Sequence, residues 1–284
     1  MSDTSASTTR LTKFYGEMSP SLDTVMSALL AAGVDTDHVQ ASDLYRRDLD
    51  CHNLGMHRML EVLKDVAEEY GRPVPEDTLL DLGCGLGGPG RFLVDQFGCS
   101  VVGVDLLPLR VELAQALTDM TRMGERISYR VADATKLGVE DASFAQAWML
   151  DVSMHIRDKQ ALFNEIARVL RPDGLLVMHE QTGPLPKAML PVRRRAPYIA
   201  PSFPQLIRYV EGAGLRVLTW RDTTHIVLDY FVRMRALLGD QSEAVPAVAA
   251  RRQRDVGLTV LDGYLETLAN LGGRTGILVA KRVT

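Results

Sequence analysis

The sequence lacks most of the features that mark a specialised chain. Its 284 residues include only 3 cysteines, Cys51, Cys84 and Cys99. They are odd in number and without metal-ligand spacing, which excludes a disulfide framework and a cysteine metal site and fits reduced thiols in a cytoplasm. A basic excess is missing too. The net charge is −4, so the electrostatic footprint of a nucleic-acid binder is absent. No apolar run is long enough to cross a bilayer, and the start carries no secretory hydrophobic segment, which removes a membrane as a partner. Internal repeats are absent, and the one dense basic run, Arg193-Arg194-Arg195, reads as a solvated loop or a contact for an acidic substrate.

What is present is enough apolar material for a core, 46% of residues, and one stretch around which the chain is organised. Leu79-Leu80-Asp81-Leu82-Gly83-Cys84-Gly85-Leu86-Gly87-Gly88-Pro89-Gly90-Arg91 begins as an apolar strand, breaks into a glycine turn and ends on a proline suited to a first helical turn. Gly83, Gly85 and Gly87 let the backbone turn sharply and approach a ligand where a Cβ would intrude. The helix that follows offers unpaired N–H groups at its mouth. Cys84 reads as a small filler of this loop rather than a nucleophile.

Such a loop serves two ligand classes. Gly83 to Gly88 formally satisfies G-x-G-x-x-G, with Asp105 at the end of the next strand to hold a ribose, as in NAD-binding domains. Asp81 argues for the other class. A carboxylate two residues before the first glycine is a poor neighbour for a pyrophosphate, but suits a ligand carrying an ammonium or a sulfonium. S-adenosyl-L-methionine has both cations and no phosphate. Here the stretch Asp81 to Pro89 resembles motif I of the class I S-adenosylmethionine-dependent methyltransferases. Its Gly-Gly-Pro extension is similar to the sarcosine/dimethylglycine N-methyltransferase and sterol-type C-methyltransferase branches. The resemblance runs from about Asp77 to Glu180 and is thin before Cys51 and after Gly183.

The periodicities place elements along the chain. Met1 to Thr9 is Ser/Thr-rich and expected to be disordered. Helices are expected over Leu11–Met18, Leu22–Ala32 and His57–Tyr70. Between the last two, Asp37 to Gly55 is either a charged surface connection or a lid that crosses the ligand. Strands and helices then alternate: strands Thr78–Leu82, Ser100–Val104, Ile127–Val131, Phe144–Met149 and Leu175–His179, with helices Gly88–Phe97, Leu109–Met123 and Lys159–Leu170, the last closed by Pro172-Asp173-Gly174. Later come helices Pro204–Ala213, about Ile226–Leu238 and Val245–Leu271, and strands Leu215–Trp220 and Gly276–Lys281. This pattern predicts an α/β, doubly wound, Rossmann-like seven-stranded mixed sheet with an α-helical cap. Residues 1–71 would be a helical lid, 72–182 the cofactor-binding core, and 183–284 a substrate cap plus the last strands.

The resemblance implies roles for residues at the strand ends. Asp105 would accept both ribose hydroxyls, although it could also cap the following helix; Leu106 would lie on the adenine. Asp133-Ala134, after strand three, would meet the adenine amino group, and the backbone of Met149 would lie beside the sulfonium. His155, after strand four, sits where the donated methyl must emerge, and a neutral imidazole there is suited to remove an acceptor proton. The run His155-Ile156-Arg157-Asp158-Lys159 is similar to phosphoethanolamine methyltransferases, in which the matching histidine pairs with an N-terminal tyrosine. Tyr15 is the candidate partner; the alternative is a His155 that only caps or packs. Tyr45, Asp151, Glu180, Tyr198, His225 and Tyr230 are candidate substrate contacts, with core packing the competing reading for the aromatics. Met149, Met154, Met178 and Met189 add adaptable apolar surface.

The implied function is methyl transfer to a carbon or nitrogen of a small organic acceptor, a natural-product intermediate such as an indole or prenyl compound, or else a small amine or amino acid. A non-catalytic S-adenosylmethionine-binding regulator and an NAD-dependent oxidoreductase are the alternatives from other classes. The partners implied are a small-molecule substrate, no nucleic acid, no membrane and no metal, with a homodimer as a compatible assembly.

Overall fold

The computed structural model describes residues 9–16, 19–50, 55–184, 199–239 and 254–283. Residues 1–8 of the expected disordered tail, Cys51, the 193–195 arginine run, Met189 and Tyr198 lie outside them, while Thr9, the last residue of that tail, begins a helix. Three helical pieces open the chain: α1 (9–16), α2 (Leu22–Ala31), begun by a Ser21 cap, and the short α3 (Ala41–Tyr45). Then α4 (Met56–Gly71) buries Met59, Leu60, Leu63, Val66 and Ala67, a single stripe at helical spacing.

Seven strands form one sheet: β1 (Thr78–Leu82), β2 (Ser100–Asp105), β3 (Ile127–Val131), β4 (Phe144–Leu150), β5 (Leu170–Thr182), β6 (Leu215–Asp222) and β7 (Arg274–Arg282). Their order is β3-β2-β1-β4-β5-β7-β6. Pairings among the first five are parallel, while β7 runs antiparallel to both β5 and β6. The crossovers are α5 (Gly88–Phe97), α6 (Pro108–Met120) and α7 (Lys159–Val169), and α8 (Phe203–Gly212) leads into β6. Two helices, α9 (Thr224–Gly239) and α10 (Arg254–Asn270), stand between β6 and β7. Among the described residues no helix is long and apolar enough to cross a membrane.

Strand alternation divides the core. Leu79, Trp148 and Val177 face a cluster with α4, α5, α9 and α10, whereas their neighbours Leu80, Met149 and Met178 face α7 and α8. All six are fully buried, which explains why central strands read as unbroken apolar runs. The sheet reverses direction of winding between β1 and β4, so a crevice opens outside their carboxyl ends.

Most boundaries fall within a residue or two of the sequence pattern. Helix α6 stops at Met120, three residues before Met123, and the expected start of the last helix at Val245 lies outside the described residues. Strand β5 departs furthest: it begins at Leu170, not Leu175. Pro172-Asp173-Gly174 does not end the preceding helix but forms an irregularity inside an extended segment, with Asp173 at φ 62° and a register shift against Phe144 and Gln146.

Candidate active site

The glycine turn is shaped by its surroundings. The N–H groups of Gly83 and Cys84 both donate to Val104 O, at 2.7 and 3.0 Å, folding the loop back over β2. Gly83 has φ +69°, and a Cβ there would collide with Val152. At Gly85, φ +55°, a Cβ would come 3.1 Å from Arg110 Nη1. Bare backbone is therefore required where the loop meets the crevice.

The crevice is a pocket with about 1000 Å³ of empty space including its mouth. Asp81, Gly83, Gly85, Asp105, Leu106, Asp133, Ala134, Asp151 and His155 all line it, together with Tyr15 from α1. The stretch before α4 contributes Asp50. Six expected contacts lie elsewhere. Tyr45 is a core residue: its hydroxyl donates to Asp95 at 2.8 Å and its ring meets Phe92 edge-on. Gly87 is the left-handed residue before α5, and its missing Cβ makes room for the Tyr129 hydroxyl and Arg91, not for a ligand. Met149 is buried towards α7 because β4 continues one residue further, so Leu150 and Asp151 reach the pocket instead. His225 is exposed at the start of α9. Tyr230 packs beside Phe231 in the α9–α10 cluster. Glu180 is fully buried behind the wall, with Oε2 lacking a hydrogen-bond partner, and burial raises its pKa to about 7.

The acids differ in character. Asp105 uses both oxygens on backbone: Oδ2 accepts from Gly85 N at 3.0 Å and Oδ1 from Leu107 N at 2.9 Å. It thus ties the glycine loop to the start of α6 while retaining lone pairs for a ligand hydroxyl. Asp133 accepts from the backbone and hydroxyl of Thr135, at 2.8 and 2.7 Å. Asp81 is 2% exposed and its Oδ2 has no hydrogen-bond partner. Burial first, then the negative Asp105, pushes its pKa up to about 7.

Tyr15 closes the pocket. Its hydroxyl lies 2.6 Å from His155 Nε2, and its ring lies 4.0 Å under the Arg110 guanidinium carbon. Burial raises the Tyr15 pKa to about 12, so the phenol keeps its proton, and it donates to Nε2 in the tautomer that carries the imidazole proton on Nδ1. His155 sits on a 3₁₀ turn, Ser153–His155; the carbonyls of Ser153 in the turn and of Ile156 just after it accept from the buried Lys159 Nζ at 2.6 and 2.5 Å.

Two arginines escaped the sequence reading. Arg91 is fully buried in α5, pairs with Asp50 at 2.9 Å and donates to Leu86 O and Thr118 Oγ1, bracing the loop from below. Arg110 overlies Tyr15 from α6. The only signal for Arg91 was a charge directly before the apolar run Phe92-Leu93-Val94. Cys84, beside these groups, has its pKa raised well above normal by burial, so it is an inert thiol.

Residues 80–178, the segment that builds this crevice, match a protein family described as a methyltransferase domain. A curated relative, 2-methyl-6-phytyl-1,4-hydroquinone methyltransferase of Synechocystis sp., is 36% identical over 104 residues, which is 37% of this chain and 32% of the relative. The matched segment thus spans about a third of the relative's length. Solved structures share the fold over more of the chain. Phosphoethanolamine N-methyltransferase 2 of Haemonchus contortus, complexed with phosphomonomethylethanolamine and S-adenosylhomocysteine, superposes with a TM-score of 0.74 at 20% identity, covering 87% of this chain and 61% of that one. Geranyl diphosphate C-methyltransferase of Streptomyces coelicolor, complexed with S-adenosyl-L-homocysteine, gives 0.71 at 18% identity and covers 97% and 98%. The matched segment accounts for the central strands, while α1, which brings Tyr15, and the stretch after α3, which brings Asp50, lie outside it.

Proposed function

We propose that this protein transfers a methyl group from S-adenosyl-L-methionine to a carbon or nitrogen of a small organic acceptor. The observation that carries the reading is the crevice itself. Bare glycine backbone and the carboxylates Asp81, Asp105 and Asp133, at three neighbouring strand ends, are built by the segment that matches methyltransferases. The fit to the donor is chemical: Asp81 is a buried carboxyl with an orphaned oxygen, which favours a cation and disfavours a pyrophosphate. Asp105 would hold the ribose, Leu106, Asp133 and Ala134 the adenine, and Gly83, Gly85 and Asp81 the amino-acid end.

When bound, the donor supplies an electrophilic methyl carbon on a sulfonium. The chain's task is alignment, water exclusion and proton removal. Tyr15 and His155 suit the last. As the acceptor loses its proton to the Tyr15 oxygen, Tyr15 passes its own to His155 Nε2, so both side chains keep one hydrogen bond throughout. Tyr15 also covers the pocket from the N-terminal lid, residues 1–71, which we assign to acceptor enclosure together with the cap in 183–284. The small-molecule substrates named for the relatives, a phytyl hydroquinone, geranyl diphosphate and phosphomonomethylethanolamine, support a small, partly apolar acceptor. A natural-product intermediate, indole or prenyl, is the specific class we favour.

Incubation with methyl-labelled donor and a panel of amines, indoles and prenyl compounds tests the reading. One labelled product in the mass spectrum supports it. Donor binding with no product across the panel would favour a non-catalytic regulator, and nicotinamide binding in its place an oxidoreductase.

A further inference from the structure

Behind the pocket wall lies a buried hydrogen-bonded chain that the methyl-transfer reading leaves unused. Asp151 lines the pocket immediately after β4, in a left-handed conformation at φ 57°. Asp visits that conformation more readily than most residues, and here its neighbours fix it. Here the neighbour is His179, on β5 and fully buried. Its carbonyl accepts from Asp151 N at 2.9 Å, and its Nδ1 meets Asp151 Oδ1, also at 2.9 Å.

The chain continues away from the pocket. His179 Nε2 lies 3.0 Å from Thr223 Oγ1, which in turn lies 3.2 Å from Thr275 Oγ1 on β7. One assignment of protons satisfies every group. Thr275 donates to Thr223, Thr223 donates to Nε2, and Nδ1–H donates to the Asp151 carboxylate. The imidazole is then neutral and the negative charge stays on Asp151. Three separate segments, β5, β7 and the turn before α9, thus converge on one carboxylate. Burial is the main cause of the raised pKa of Tyr15 and of Glu180, and the Asp151 charge adds to it in both.

We propose that His179 is a positioning residue that holds Asp151, ionised and oriented, to recognise a positive centre at the methyl-transfer end of the pocket. That centre is the donor's sulfonium or a protonated amine on the acceptor. The inference rests on the reading of the pocket as a donor site. A hydrophobic residue would fill the space behind the wall more cheaply; a histidine wired to two threonines is placed to control one carboxylate.

Calorimetric titration with S-adenosyl-L-methionine and with its neutral product, S-adenosyl-L-homocysteine, tests the donor as the source of that centre, and turnover of an amine acceptor tests the other source. Asp151→Asn is expected to weaken the charged donor about tenfold more than the product. His179→Leu should reproduce that change of ratio, His179→Asn, which keeps a donor at the Nδ1 position, should restore most of it, and Thr223→Val should give a smaller change of about threefold. If His179→Leu does not fold, the Asn and Val variants carry the test. An unchanged ratio in Asp151→Asn, together with a product whose amine loses turnover in that variant, assigns the recognised cation to the acceptor. Equal weakening of both ligands in the His179 and Thr223 variants, or no change of donor ratio or amine turnover in any variant, would overturn the proposal. Failure of the unaltered protein to bind either ligand would instead overturn the donor-site reading itself.

Discussion

Tyr15 and His155 stand 140 residues apart in the chain, yet the phenol oxygen and imidazole Nε2 are 2.6 Å from one another. One comes from a helix outside the matched domain, the other from the turn after β4, and they meet across the mouth of the pocket. If this pair moves the acceptor's proton, Tyr15→Phe should lower kcat by about 10- to 100-fold while leaving donor affinity nearly unchanged. His155→Ala should cost at least as much. Because the two act as one unit, the double variant should be little worse than the poorer single one. Steady-state rates by product mass check this; additive losses would mean independent roles.

Asp81 gives a dependence on pH. Its folded pKa, about 7, lies above the ordinary 3.8, so between those values the folded protein binds more protons than the unfolded chain. Stability from this group is complete below about pH 4 and is lost as pH rises to 7. A cationic donor favours the ionised carboxylate, so donor affinity should run the other way and increase from pH 6 to 8. Asp81→Asn should flatten both profiles. Thermal melts and titrations over that range measure them, with Glu180, also raised to about 7, contributing to the stability profile in the same direction.

Arg91 and Asp50 form an ion pair with both side chains fully buried. Removing either partner leaves a stranded charge, and Arg91→Met or Asp50→Ala should lower stability by about 3–5 kcal/mol. Arg91 also holds Leu86 O, so donor affinity should fall with stability. Replacing both residues by apolar ones should recover a large part of the stability but not the affinity. Denaturant unfolding of the three variants checks the expectation.

Lys159 fastens the turn that carries His155 through two carbonyls. Lys159→Met should lower kcat with little effect on donor affinity, since no donor-site residue touches the ammonium. A parallel fall in donor affinity would show that the turn and the glycine loop move together, against this reading.

Much of the architecture was legible because two periodicities and a glycine turn are local signals. The strand ends followed from them, and with those ends came Asp81, Asp105 and Asp133 on one rim. Side chains that depend on long-range convergence were not legible. Nothing local distinguishes Asp50, which reaches the pocket, from Tyr45 five residues earlier, which turns into the core. Gly87 satisfies the same glycine pattern as Gly85, yet its freedom serves Tyr129 and Arg91. His179 read only as the end of an apolar strand; its pairing with Asp151 and Thr223 depends on β4 and on the turn before α9, which only the assembled sheet brings beside it.

The most direct measurement is calorimetric titration of the folded protein with S-adenosyl-L-homocysteine, with NAD as the comparison. Saturable one-site binding of the former, reduced by Asp105→Ala, with none for NAD, is the expected result. Binding of NAD, or of neither ligand, would contradict the assignment of the glycine-lined crevice to an adenosyl donor.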